Sequence, residues 1–291
     1  MKQPKGLFIG LNTIDMQFLV EQYPTQNQKA KASDYGLHSG GPATNAAITY
    51  AHLGGKSHLV SSFGKHPFTQ MVYEDFKNYM VKTTDLTPNR SCHPIFASII
   101  TTLSTGDRSI VSYHPNNHDY CDITLDAFPI AQFDIILVDS FYIDAAKTII
   151  SKADIKATVV LDGGSWKKDL ENLLPYIDIA ICSADFFPPG TSNTSEVIDY
   201  LFAKGITRIA ITRGCNSIIV KESETTFELP VTDIEACDTL GAGDVFHGAF
   251  CYYYAQTNDF KTSLQQASEI AAYSCKHYGT RKWMDARNKK S

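Results

Sequence analysis

From residue 134 onward the chain alternates short apolar runs with helical stretches: DIILVD at 134–139, TVVLDG at 158–163, YIDIAICS at 176–183 and TRIAITRG at 207–214. Runs this apolar have no polar face to offer water, so each must be covered on both sides. Strands alternating with helices satisfy that need as βαβ units, with a parallel sheet between two helical layers. The first half adds to the pattern. LFIGL at 7–11 and HLVSSFG at 58–64 read as strands, and ATNAAITYAHLGG at 43–55 reads as a helix with Pro42 at its start and glycine at its end. A further helix is expected near 67–80. With no linker, repeat or low-complexity tract, the 291 residues are expected to form one doubly wound α/β domain over 1–291.

Two stretches depart from that rhythm. Residues 16–20 and 33–38 alternate as small strands do, and FASIITTL at 96–103 returns through a Thr105, Gly106, Asp107 turn into SIVSY at 109–113, a hairpin pattern. The excursions at about 12–38 and 92–114 are expected to join as a small β-sheet lid. Ligands of α/β sheets bind beyond the carboxyl ends of the strands. A lid over that edge would keep water from a reactive group.

Charge and cysteine content narrow the function. Lys and Arg number 26 against 31 Asp and Glu, a net charge of −5. Such a surface does not attract nucleic acid or an anionic membrane. The seven cysteines are odd in number, scattered and free of C-x-x-C spacing, which argues against a disulfide framework or a zinc site. Reduced thiols in a cytoplasmic protein are expected. The first residues lack the apolar core of a signal peptide, and no apolar run reaches membrane-spanning length.

The chemistry concentrates in DTLGAGD at 238–244, directly before the apolar helical run VFHGAFCYYYAQ. Gly241, Ala242 and Gly243 then sit at a helix N-terminus, where exposed backbone N–H groups and the helix dipole favour an anion, including charge developing on a transferring phosphoryl group. Asp244 beside that hole can take a proton from an attacking hydroxyl. A bare G-x-G would imply no more than a tight turn with Asp244 as a cap; the seven-residue string is more specific. His247, three residues on, either packs in the core or touches the site.

DTLGAGDVFHGAF resembles the C-terminal signature of ribokinase-like, PfkB-type carbohydrate kinases, and GGPATNAA at 40–47 resembles their N-terminal glycine-pair signature. The resemblance spans nearly the whole chain and is nearer to the sulfofructose- and ketohexose-kinase branch. It implies ATP-dependent phosphorylation of a small sugar, with Asp244 as base and Gly241, Ala242 and Gly243 as the anion hole. It implies further that Asp15 accepts a sugar hydroxyl, that Gly41 and Asn45 contact the sugar, and that Thr212, Arg213 and Gly214 lie near the nucleotide phosphates. Adenine would sit near 217–232 and 268–279. Magnesium is implied, but the family's N-x-x-E segment reads CSADF at 182–186. That leaves Asp185 as a substitute, or a metal held mainly by ATP and water. Asp238 resembles a position of a monovalent-cation site, so potassium is an expected activator. A homodimer through the lid is also implied. The strand end DIILVDSFYID offers no basic residue for an anionic sugar, which points to a neutral one. The rivals are a nucleoside kinase, which would need a large apolar base pocket, and a non-catalytic sugar- or nucleotide-binding protein, for which Asp244 would be unnecessary.

Overall fold

In the computed structural model, which describes residues 3–91, 93–114, 121, 123–152 and 155–288, the apolar runs do become strands covered on both faces. Cys92 and the three C-terminal residues, 289–291, are among those outside the described residues. In chain order the elements begin with β1 (Lys5–Ile9), β2 (Thr13–Val20), β3 (Asp34–Gly40), α1 (Pro42–His52), β4 (Lys56–Ser61), α2 (Thr69–Asn78) and β5 (Lys82–Asp85). There follow β6 (Phe96–Thr102), β7 (Arg108–Tyr113), β8 (Ile135–Val138), α3 (Ile143–Ile150), β9 (Thr158–Gly163), β10 (Ile179–Ser183) and α4 (Thr194–Ala203). The chain closes with β11 (Arg208–Arg213), β12 (Asn216–Glu222), β13 (Thr225–Leu229), α5 (Ala242–Thr257), α6 (Phe260–Ser274) and α7 (Lys282–Asn288).

The large sheet has nine strands in the order β13-β12-β11-β10-β9-β8-β1-β4-β5. All its pairings are parallel except those of β12 with its two neighbours. Successive side chains go to opposite layers, as strand geometry requires. On β8, Ile135 and Leu137 pack with α1, α5 and α6, while Ile136 and Val138 pack with α3 and α4. The doubly wound, mostly parallel expectation therefore holds. Two details differ from it. The helix expected between β9 and β10 is a pair of 3-10 turns, Leu170–Asn172 and Leu174–Tyr176; Pro175 lacks an N–H and disfavours helical backbone at Leu174. The β12–β13 hairpin was not anticipated because its turn uses Ser223 at φ 51° rather than glycine or asparagine.

The two excursions join as expected. β2 pairs with β6 in parallel, and β3 and β7 flank them in a four-stranded sheet, β3-β2-β6-β7. Paired residues share a face. One face carries Asp15, Gln17, His38, Ile99 and Arg108 toward the body of the protein, where Gln17 Nε2 donates to Asp238 at 3.0 Å. The opposite face carries Tyr35, 74% exposed, Val111, 72% exposed, and Leu37 and Tyr113. The lid touches the body at its tip as well. Gly106, at φ 70°, leaves room for the Cys237 carbonyl, which a Cβ there would meet at 2.8 Å.

The six described cysteines are free thiols. No helix among the described residues is long and apolar enough to cross a membrane.

α1 crosses α5 closely enough that a Cβ on Gly248 would lie 2.4 Å from the Ala46 carbonyl oxygen and 2.8 Å from Thr49 Cβ. Alanine in a helix is worth up to ~1 kcal/mol over glycine, but overpacking a tight crossing costs about 1–3 kcal/mol. Gly248→Ala is therefore expected to lower the unfolding free energy, measured by urea denaturation, by about 1–2 kcal/mol. A gain in stability would mean that the crossing is slack.

Candidate active site

The carboxyl ends of β1 and β8 are tied by one buried side chain. Asp139 accepts from the backbone N–H groups of Leu11 at 2.8 Å, Ala43 at 3.1 Å and Phe141 at 3.1 Å. It thus holds the end of β1, the start of α1 and the loop after β8 together. Burial, with the charge of Asp162 adding to it, raises the Asp139 carboxyl to about 7 against the pull of these donors. Gly41 opens α1 at φ 96°, where a Cβ would stand 2.6 Å from the Leu11 carbonyl oxygen, so no other residue fits this entry.

One turn into α1, Asn45 meets Asp244. Its Nδ2 donates to Asp244 Oδ2 at 2.7 Å, and its Oδ1 accepts from Arg281 Nη1 at 2.9 Å. Because Arg281 has only donors, it settles which end of the amide faces Asp244. Arg281 is anchored in turn by the Ser39 carbonyl oxygen at 2.6 Å and Thr280 Oγ1 at 3.0 Å, and its guanidinium lies over the Tyr79 ring. His38, on the lid, is 3.0 Å from Thr280 Oγ1, and burial together with Arg281 lowers its imidazole to about 3, leaving it neutral.

Asp244 stands in the first turn of α5, after Gly241 at φ 68°, and no side chain caps this helix. The space over Gly243 is open, with nothing within 4 Å of where a Cβ would be. Asp244 opens on this space, but surrounding protein strips enough water from it to raise its carboxyl to about 7. Asp162 adds to the rise and the Asn45 bond opposes it. Asp15, expected on the sugar side, is buried against Gly40 and accepts from Thr13 Oγ1 at 2.5 Å. Burial raises its carboxyl, while the Thr13 bond and Arg281 pull it down.

On the other side of the turn, a mostly apolar cleft of about 250 Å³ runs between the β12–β13 hairpin and α6 to Ala242 and Gly243. Ile218, Val231, Ser268 and Ala271, from the two stretches expected to meet adenine, line it, and Thr212 and Gly214 border it. Arg213 does not face it. Its Nε donates to the Ser217 carbonyl at 2.8 Å and its Nη2 pairs with Glu228 at 3.3 Å, so the side chain braces the hairpin. Arg108, from the lid, donates to Thr239 Oγ1 at the rim of the cleft.

The metal expectations find no cluster. Among the described residues no three His, Cys, Asp or Glu side chains come together as a metal site. Asp185 is exposed after β10. The Asp238 carboxylate is surrounded by N–H donors, from Leu240 at 2.9 Å, Gly279 at 2.9 Å and Gln17 at 3.0 Å. Through Gln17 and Gly279 it latches the lid to the C-terminal loop. Arg281, Arg108, Asp139 and Asp162 were missed in the sequence. Each acts through partners far away in the chain, and none stands in a motif.

A model of the pfkB family carbohydrate kinases matches residues 4–287. The deoxyribokinase of Salmonella typhimurium is 24% identical over 294 residues, covering 94% of this chain and 92% of that one. The ribokinase of Bacillus subtilis is 23% identical, covering 96% of each. The crystal structure of fructokinase with bound ATP from Xylella fastidiosa superposes with a TM-score of 0.77 at 19% identity, covering 96% of this chain and 94% of that one.

The raised carboxyl of Asp244 has a consequence for stability. An unfolded aspartate titrates near ~3.9, so between about pH 4 and 7 the folded protein holds a proton that the unfolded chain has lost. The stabilisation this gives is complete below the lower value and is gone once the pH has risen through about 7. Asp244→Asn, which needs no proton, is therefore expected to be more stable than the parent above pH 7, by on the order of 1–3 kcal/mol. The difference should shrink toward pH 4. Denaturant midpoints across that range check it, and a difference independent of pH would contradict it.

Proposed function

Since the chain belongs to the pfkB family of carbohydrate kinases, we propose that it transfers the γ-phosphoryl group of ATP to a hydroxyl of a small neutral sugar, with Asp244 as general base and the turn of Gly241, Ala242 and Gly243 as anion hole. It is an enzyme of the phosphotransferase class, a sugar kinase. The observation that carries the finer reading is the position of Asp244. It stands at an uncapped helix N-terminus, between Asp15 and Asn45 on the lid side and the apolar cleft on the other.

The sugar would lie under the lid, with Asp15 accepting one hydroxyl and Asn45 and Gly41 flanking another. The attacking hydroxyl gives its proton to Asp244, whose base form Asn45 favours by donating to it. Charge developing on the phosphoryl group meets the N-terminus of α5 and, from the lid, the Arg108 guanidinium. The cleft suits an adenine, which needs an apolar slot more than polar partners. Both terminal nitrogens of Arg281 already donate, Nη1 to Asn45 and Thr280 and Nη2 to the Ser39 carbonyl, which favours a neutral sugar over an anionic one. Magnesium held largely by ATP phosphates and water needs few protein ligands, and it would neutralise phosphate charge during transfer.

Asp244→Asn is expected to lower kcat by roughly 10²–10⁴-fold with sugar and ATP affinity little changed. Asp15→Ala removes a hydroxyl acceptor and should instead weaken sugar binding by about 1–3 kcal/mol, sparing ATP. Coupled turnover and calorimetric titration separate the two. Wild-type turnover in Asp244→Asn on an accepted sugar would make Asp244 a helix cap and nothing more.

The outer lid face of Tyr35, Leu37, Val111 and Tyr113 is the surface we assign to a homodimer, since so apolar a sheet face is seldom left to water. Light scattering at micromolar concentration should show twice the chain mass, and Tyr35→Glu with Val111→Glu should give monomers. A monomeric parent protein would refute the assignment.

A further inference from the structure

Behind the anion-hole turn lies a second pair of titratable side chains that the proposed reaction does not use. His247, on α5, is 5% exposed, and Asp162, at the end of β9, is 4% exposed. His247 Nδ1 lies 2.7 Å from the Gly243 carbonyl oxygen, and Nε2 lies 3.1 Å from the Ile181 carbonyl oxygen on β10. A carbonyl oxygen only accepts, so a ring nitrogen facing one must carry hydrogen. A neutral imidazole has one N–H and the imidazolium has two. Two carbonyl partners therefore select the cation.

A second observation points the same way. Asp162 Oδ2 is 3.6 Å from His247 Nδ1, and it is buried with no hydrogen-bond partner. A bare carboxylate oxygen there is costly unless a positive charge stands beside it. The other titratable groups around Asp162 are Asp244 on α5, Asp139 after β8, and the Cys182 and Cys251 thiols on β10 and α5, both of which burial and the Asp162 charge push up. None of these can supply the positive charge.

We propose that His247 is a buried imidazolium paired with Asp162, and that it is a positioning residue for the anion hole. The reason is covalent. The Gly243 carbonyl and the Asp244 N–H belong to one planar peptide unit and point in opposite directions. Holding the carbonyl from behind with a charged donor aims that N–H forward, toward the place where phosphoryl charge develops. A cation on the carbonyl also polarises the peptide and strengthens the N–H as a donor. The same charge favours the ionised form of Asp244. Ile181 completes the clamp by tying the ring to the sheet, so the helix start is located against β10.

The part of this inference that concerns turnover rests on the phosphotransfer reading; the ring's protonation does not. Histidine labelled with 15N, in the intact protein, is recorded at neutral pH, where a free imidazole is mostly uncharged. The His247 signal is assigned by its loss in His247→Asn. Both ring nitrogens are expected at protonated positions, and one bare nitrogen would overturn the pairing. In kinetics, His247→Asn, which keeps one donor, is expected to lower kcat roughly 10- to 100-fold and to change the sugar and ATP KM by no more than about twofold. The acid limb of its kcat/KM profile should move to higher pH, because the charge that favours ionised Asp244 is gone. An unmoved limb, or a loss confined to KM, would overturn the positioning role. If His247→Asn does not fold, His247→Gln carries the kinetic test and the ring signal decides the pairing. If no sugar is phosphorylated at all, the ring signal still decides it.

Discussion

Three carboxylates, Asp15 on the lid and Asp139 and Asp162 at the carboxyl edge of the large sheet, are buried, and a fourth, Asp244, is half-buried beside them. Their mutual repulsion and loss of water would protonate them all unless donors were arranged against it, and the site is that arrangement. Asp139 takes three backbone N–H groups and in doing so brings together the loops that carry Gly41 and the end of β1. Asp15 takes the Thr13 hydroxyl and the field of Arg281. Asp162 takes the charge of His247. Asp244 is left with one side-chain donor, Asn45, and with its carboxyl raised to about 7 it can change its protonation at neutral pH. A base needs that readiness.

The lid and the body meet through polar contacts from three lid strands and the lid turn: Gln17 with Asp238, Arg108 with Thr239, the Leu103 carbonyl with the Tyr278 hydroxyl, and, from β3, Asp34 with Lys282, His38 with Thr280, and Ser39 with Asp75 and Arg281. Arg108 reaches from the lid to Thr239 at the rim of the apolar cleft, so the lid borders that cleft as well. Asp238, which takes donors from the lid and from the loop before α7, couples the lid to the segment that positions Arg281.

Much of the scaffold was legible because it rests on local rules. Period-two and uninterrupted apolar runs mark strands whatever else the chain does, and Pro42 and Gly41 mark the start of α1 by backbone geometry alone. Failures fall where local rules lose to context. Between β9 and β10, Pro175 breaks a stretch that otherwise reads as helical. Arg213 follows a strand end, as a phosphate ligand would, yet Glu228 and the Ser217 carbonyl on the neighbouring hairpin are nearer partners. His247 read equally well as a packed residue or a site residue, because the two carbonyls that select its charge belong to different elements.

The sequence by itself determined the strands of the α/β layers, the strand patterns of the lid, the glycine turn before α5 and the placement of Asp244 there, since each depends on residues within a few positions of one another. Tertiary structure alone decided that Arg281 orients Asn45 from 236 positions away, that Asp162 stands against His247, and that Asp238 latches the lid. Those roles depend on charges and amide dipoles meeting across elements. The energy of such a meeting depends on distance and burial, and neither is written in the order of the residues.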